Sequence, residues 1–117
     1  MPLTITVENP AEGVVALRLA GRLDAAATAD FEAVLLPHAE NPSVRRLVIE
    51  GTAMDYVASA GLRSFLKAIK AMNPRQAKLL GAGFGPPVAA VLKMTGFLSF
   101  IDLRASLAEC LPPPGEP

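Results

Sequence analysis

The sequence predicts a single α/β domain: a mixed, mostly parallel sheet with an N-terminal antiparallel strand pair and about four helices. Three observations carry this expectation. The first two apolar runs alternate with a period of two and lie a short turn apart, the pattern of a hairpin. From Arg46 onward, compact apolar runs alternate with stretches of helical periodicity, which implies parallel strands joined by helices. The chain has 117 residues, 51% of them apolar, so it is one domain able to bury a core without metals or crosslinks.

Leu3 to Glu8 alternates Leu, Ile and Val with Thr, Thr and Glu and reads as a half-buried strand. Asn9-Pro10-Ala11-Glu12-Gly13 is a turn, and Val14 to Ala20 is the second strand, with Val15, Leu17 and Leu19 on one face. Gly21-Arg22-Leu23-Asp24 ends that strand and starts a helix that Asp24 or Thr28 would cap. Phe31, Val34, Leu35 and His38 fall at helical spacing. Pro37 should stop this helix, because proline disfavours helical angles in the residue before it. Arg46 to Glu50 is an interior strand.

Ala58 to Met72 is the clearest helix. Leu62, Phe65, Leu66 and Ile69 form its inward stripe, with Arg63, Lys67 and Lys70 opposite, and Asn73-Pro74 closes it. Lys78 to Gly81 is a short strand. Gly83 to Pro87 leads into a helix from about Val88 to Thr95, with a proline near its first turn, where the missing amide would be unpaired anyway. Gly96 ends it. Ser99 to Leu103 gives a last strand and Ala105 to Leu111 a final helix. The domain therefore spans residues 1–111, and the Pro-rich segment 112–117 is a flexible tail.

Composition removes several function classes. Lys and Arg number 11 and Asp and Glu 11, so the basic excess of a nucleic-acid binder is missing. The absence of Trp, with aromatics at 5%, weakens any reading built on base stacking. A single cysteine, Cys110, permits no internal disulfide and suits a reducing compartment, where it reads as a small core residue of the final helix. The N-terminus lacks the pattern of a signal peptide, and no apolar run reaches membrane-spanning length. The expectation is a soluble cytoplasmic protein with no direct membrane insertion.

The informative stretch is Met54-Asp55-Tyr56-Val57-Ala58-Ser59-Ala60-Gly61-Leu62-Arg63, which follows a buried strand and opens the best helix. Ser59 falls at or near the N-cap, where free amides and the helix dipole favour negative charge. Its small neighbours Ala58, Ala60 and Gly61 leave the hydroxyl uncovered. Tyr-Val-Ala-Ser-Ala-Gly-Leu-Arg is similar to the strand-to-helix segment of bacterial STAS proteins, whose serine is a kinase target. Gly21-Arg22-Leu23-Asp24-Ala25-Ala26 and Val91-Leu92-Lys93-Met94-Thr95-Gly96-Phe97 resemble two further markers of that family, in the right order, and the resemblance spans Leu3 to Leu111.

The resemblance implies a STAS-type domain and a stand-alone anti-sigma factor antagonist. Such a protein binds an anti-sigma factor that is also a serine kinase and is released on phosphorylation. A serine phosphatase of the PP2C type then resets it. By position Ser59 matches the phosphorylated serine and Asp24 an acidic residue beside it. Asp55, Tyr56, Ala58, Ala60, Gly61, Arg63 and Lys67 complete the partner-binding set, with Gly61 admitting a partner's backbone. In the best-known members the residue before the serine is acidic; here it is Ala58. A rival use of the same domain is a small cytoplasmic subunit of an ABC-type lipid-transport complex, gripping its ATPase.

Plainer readings stand beside these. Ser59 and Asp24 are also good helix caps, and Arg63, Lys67 and Lys70 also make an ordinary solvated face. Gly81-Ala82-Gly83-Phe84-Gly85 follows a strand like a phosphate loop, but Pro86 breaks the glycine pattern and no Gly-Lys-Ser/Thr occurs, so a plain turn is expected. Ser-His-Asp hydrolysis would need His38, the single histidine, and the segment lacks the first glycine of a nucleophile elbow. One histidine and one cysteine do not build an ordinary zinc site. The sequence argues for no enzyme, no metal and no cofactor.

Overall fold

The alternating N-terminal run forms β1 (Thr4–Ala11), which pairs antiparallel with β2 (Val14–Leu23) in a computed structural model that describes residues 2–113. The register sets Ile5 opposite Leu19 and Val7 opposite Leu17, so the period-two pattern puts one apolar row of β2 on a single face. β1 runs three residues beyond Glu8 across an irregularity between Glu8 and Ala11. The turn therefore contracts to Glu12-Gly13, where Gly13 takes a φ of 74° that a side chain would strain.

β2 then pairs in parallel with β3 (Arg46–Val57), β3 with β4 (Lys78–Ala82), and β4 with β5 (Asp102–Arg104), giving the order β1-β2-β3-β4-β5. The crossovers are α1 (Thr28–Glu40), α2 (Ser59–Met72) and α3 (Pro86–Met94). All three helices pack on one face of the sheet. Phe31, Leu35 and Ala39 of α1, Phe65, Ala68 and Met72 of α2, and Leu92 of α3 are buried there against Leu17, Leu23, Leu47 and Ile49. Phe31 meets Phe65 edge to face, ring centroids 5.8 Å apart, where α1 crosses α2. A smaller cluster of Val14, Ala16, Val48, Leu80, Ala82 and Cys110 lies apart from it, with Leu107 and Leu111 packed against it.

Several expectations change. β2 runs on to Leu23, and the last strand is the shorter Asp102–Arg104. Pro37 lies inside α1 instead of ending it. The carbonyl that it leaves without an amide belongs to exposed Ala33, which water reaches, and buried Leu35 and Ala39 hold the last turn in place. β3 extends seven residues past Glu50, because β2 supplies hydrogen-bonding partners as far as Leu23↔Val57. Asn73-Pro74 closes α2 after Met72, as expected, and itself forms a 3₁₀ turn, Asn73–Arg75. The expected fourth helix is only a 3₁₀ turn, Ala108–Cys110, so the helices are three. Cys110 is nonetheless buried, and burial raises its thiol pKa. Of the expected Pro-rich tail, residues 114–117 lie outside the described residues.

Among the described residues no helix is long and apolar enough to cross a membrane.

Candidate functional site: the corner where β3 becomes α2

Two sequence markers far apart in the chain meet at the C-terminal ends of β2 and β3. The parallel pairing of these strands slips between Arg18 and Ala20 and again between Gly21 and Arg22, so β3 accommodates one extra residue at each place. Gly21 sits at the second slip with a φ of 104°, a value open to glycine and strained for other residues. Beyond it the register recovers as Arg22↔Tyr56 and Leu23↔Val57, and the Ala58 amide donates to the Leu23 carbonyl at 2.9 Å. Asp24 and Ser59 each follow directly on that bonded pair. Open parallel sheets form their binding crevices at this end of the strands.

Ser59 is the first residue of α2 and is exposed. The cap position belongs to Ala58, in extended conformation (φ −88°, ψ 167°), which has no side chain to offer the free amides of the first turn. The reading of Ser59 as the cap itself is therefore off by one residue, and the hydroxyl projects into solvent without that duty. Half-buried Ala58 and Ala60 flank it, and exposed Asp55, Tyr56 and Arg63 surround the corner. Arg63 stands one helical turn on, at the i,i+4 spacing that brings side chains together.

Asp24 does not cap α1 either, nor does Thr28: the N-cap is Ala27. The Asp24 carboxylate instead accepts from the Ala27 amide at 3.0 Å, closing the turn before the helix, and the Thr28 hydroxyl donates back to the Asp24 carbonyl at 3.0 Å. Asp24 is thus fixed in place and half-buried. Arg22 was not singled out in the sequence. Its guanidinium lies 4.3 Å from the centroid of the Tyr56 ring, a cation–π contact. Only the register between strands 34 residues apart reveals this pair. Arg22, Asp24 and Asp30 also rim a hollow of about 240 Å³ whose walls include Leu3, Ile5 and Ala27.

Two other expected contacts are engaged within the domain. Gly61 is buried: a Cβ there would stand 2.8 Å from Leu23 Cγ and 3.0 Å from Val57 Cγ2. The close approach it permits is that of α2 to the strand ends, not of a partner backbone to α2. Lys67 donates to Glu32 of α1 at 2.9 Å, and the Ser64 hydroxyl donates to the same carboxylate. These hydrogen bonds, Ser64 foremost, hold the Glu32 carboxyl below its usual pKa. Lys67 therefore clips α2 to α1, although its side chain remains exposed.

Phe84, in the loop after β4, packs on glycines of the strands. A Cβ on Gly81 would fall 2.8 Å from Phe84, and one on Gly51 2.4 Å, so these glycines make room for Phe84 to fold over the sheet. His38 stands in the last turn of α1, about 15 Å along the helix from Thr28 at the site end. It lines a separate hollow of about 420 Å³ with Asn41 and Ser43, so it does not join Ser59 in a catalytic pair.

This fold and this corner define a class, and comparison with known proteins agrees on it. The model of the STAS domain family matches residues 7–110. A candidate anti-sigma factor antagonist, BtrV of Bordetella bronchiseptica, is 30% identical over 95 residues, 81% of either chain. The chain belongs to the STAS domain family. An anti-sigma factor antagonist from Mycobacterium paratuberculosis superposes with a TM-score of 0.81 at 20% identity, covering 92% of this chain and 90% of that one. SpoIIAA of Bacillus in its phosphorylated form does so at 0.72 and 17%, covering 91% and 95%. At these identities the two structures speak for the fold.

Proposed function

We propose that this protein is an anti-sigma factor antagonist whose hold on its partner is switched by phosphorylation of Ser59. The observation that carries this reading is an exposed serine at the first position of α2, uncovered by its neighbours and not used as a cap. The relatives named as antagonists support it. The partner is an anti-sigma factor that is also a serine kinase, and a PP2C-type phosphatase restores the free hydroxyl. The protein acts as a binding module, with no chemistry of its own.

A phosphate brings roughly −1.5 to −2 charges and three strong acceptors. On Ser59 it would gain from the open amides at the start of α2 and from Arg63 one turn on, so the fold tolerates it. Within an interface the same group would have to be desolvated beside Asp24 and Asp55. The switch therefore works by expelling the partner, not by reshaping the domain. Tyr56, held by Arg22, offers the large, rigid aromatic surface that interface anchors use.

The test is peptide mass spectrometry on the protein isolated from its own cells, followed by binding of unphosphorylated and phosphorylated forms to the cognate kinase. Phosphate on Ser59 and a loss of affinity of about 30-fold or more, equivalent to about 2 kcal/mol, are expected. Equal affinity of the two forms, or phosphate confined to other residues, would reject the reading.

A further inference from the structure

We propose that the end of the sheet opposite Ser59 carries a binding site for a small phosphate-bearing ligand, built from Arg45, Arg46, Lys78 and Gln76. Roughly 35 Å of strand separates it from the phosphorylation corner, and it is independent of the switch proposed there. The four residues line a hollow of about 190 Å³ where β3 and β4 begin.

Arg46 and Lys78 are register partners in the parallel β3–β4 pair, so two cations stand side by side on one face of the sheet. Like charges in this position are unfavourable and are ordinarily avoided or neutralised. Here neither forms a salt bridge: Asp102, which shares a second hollow with Lys78, pairs with Arg104 instead. The ion pairs among the described residues are Arg18–Glu8, Arg18–Glu50, Lys67–Glu32 and Arg104–Asp102, and none involves Arg45, Arg46 or Lys78. With 11 basic and 11 acidic residues in the chain, the cluster is no by-product of a general basic excess.

The backbone around the hollow is fixed. The Arg45 amide donates to the Gly13 carbonyl at 2.7 Å and the Arg46 amide to the same oxygen at 3.1 Å. The Lys78 amide donates to the Arg45 carbonyl at 2.9 Å. Arg46 gives one guanidinium N–H to the Cys110 carbonyl at 2.9 Å, which holds its side chain in place and leaves other donors to spare. Gln76 is the left-handed C-cap (φ 59°) of the 3₁₀ turn that precedes β4, with its amide donating to the Asn73 carbonyl at 3.0 Å, so the loop beside the hollow is held as well.

Two guanidinium forks, an ammonium and a carboxamide with no carboxylate among them match the oxygens of a phosphate, which accepts several charge-assisted hydrogen bonds at once. A bound dianion would also cancel the Arg46–Lys78 repulsion.

The experiment is an amide NMR titration of the whole protein with inorganic pyrophosphate, in about 0.15 M NaCl to screen loose attraction. Saturable one-to-one shifts centred on Arg45, Gln76, Ala77 and Lys78 are expected. Lys78→Ala and Arg45→Gln, both exposed and so leaving the fold intact, should each weaken binding about tenfold. Shifts that rise linearly, that spread evenly to Arg63 and Lys70, or that survive both substitutions would overturn the proposal. So would citrate binding as tightly as pyrophosphate, since that would mark a carboxylate site.

Discussion

A Cβ on Gly61 would lie 2.8 Å from Cγ of Leu23 and 2.9 Å from its Cδ2. The missing side chain is therefore what lets the first turn of α2 settle on the end of β2, and this contact sets the position of Ser59. The crowded atom is a branch point in a buried residue, not the free end of a flexible chain. Gly61→Ala would force α2 outward. Overpacking costs about 1–3 kcal/mol, offset by up to about 1 kcal/mol of helix propensity. Urea denaturation should show a net loss of about 1–2 kcal/mol, with the largest amide shifts at residues 58–61. A neutral or stabilising effect would mean that the turn moves freely.

The cap geometry gives a second expectation. Ser59→Ala should change stability by less than about 0.5 kcal/mol, because an exposed hydroxyl outside the cap position supports little. Ala58→Asp should stabilise by about 1 kcal/mol, since it supplies the missing acceptor at a residue already in cap conformation. Thermal unfolding of both variants checks this. A large loss in Ser59→Ala would assign Ser59 a structural duty after all.

Tyr56 is 40% exposed and contacts Arg22 by cation–π. Such a contact at an exposed site contributes about 0.5–1 kcal/mol to the fold. Tyr56→Ala should lose no more than about that much in denaturation yet weaken partner binding by about 2 kcal/mol or more, as interface anchors do. Calorimetric titration against the cognate kinase separates the two quantities. If binding falls no further than stability, Tyr56 is not an anchor.

The clip between α1 and α2 predicts a pH dependence. The Ser64 hydroxyl and then Lys67 hold the Glu32 carboxyl below its ordinary pKa of about 4.3. A depressed carboxyl contributes stability that is present above that value and lost as the pH falls through the native one. Wild type should therefore lose stability on acidification below about pH 4.3 more steeply than Glu32→Gln, with the two curves parallel above about pH 6. Identical acid limbs would show that the clip adds nothing.

The sequence by itself determined the fold class, the succession of strands and principal crossover helices along the chain, and the segment worth attention. Those depend on local periodicity: Leu62, Phe65 and Ile69 are buried in α2 as their spacing requires, and Ile5 and Val7 stand opposite Leu19 and Leu17 on one face, as alternation implies. The family markers also lie in continuous segments, so they needed no coordinates. Only the tertiary structure decided what depends on neighbours distant in the chain. β3 continues from Gly51 to Val57, where its own apolar pattern has lapsed, because β2 lies beside it to take the hydrogen bonds. α1 continues past Pro37 because Leu35 and Ala39 are buried against the sheet. Gly61 faces Leu23, Lys67 reaches Glu32, Arg22 covers Tyr56, and Arg46 stands beside Lys78, all by packing or register. Hydrogen bonding along a strand and clashes across a packed layer act between elements, and no property of one segment read alone contains them.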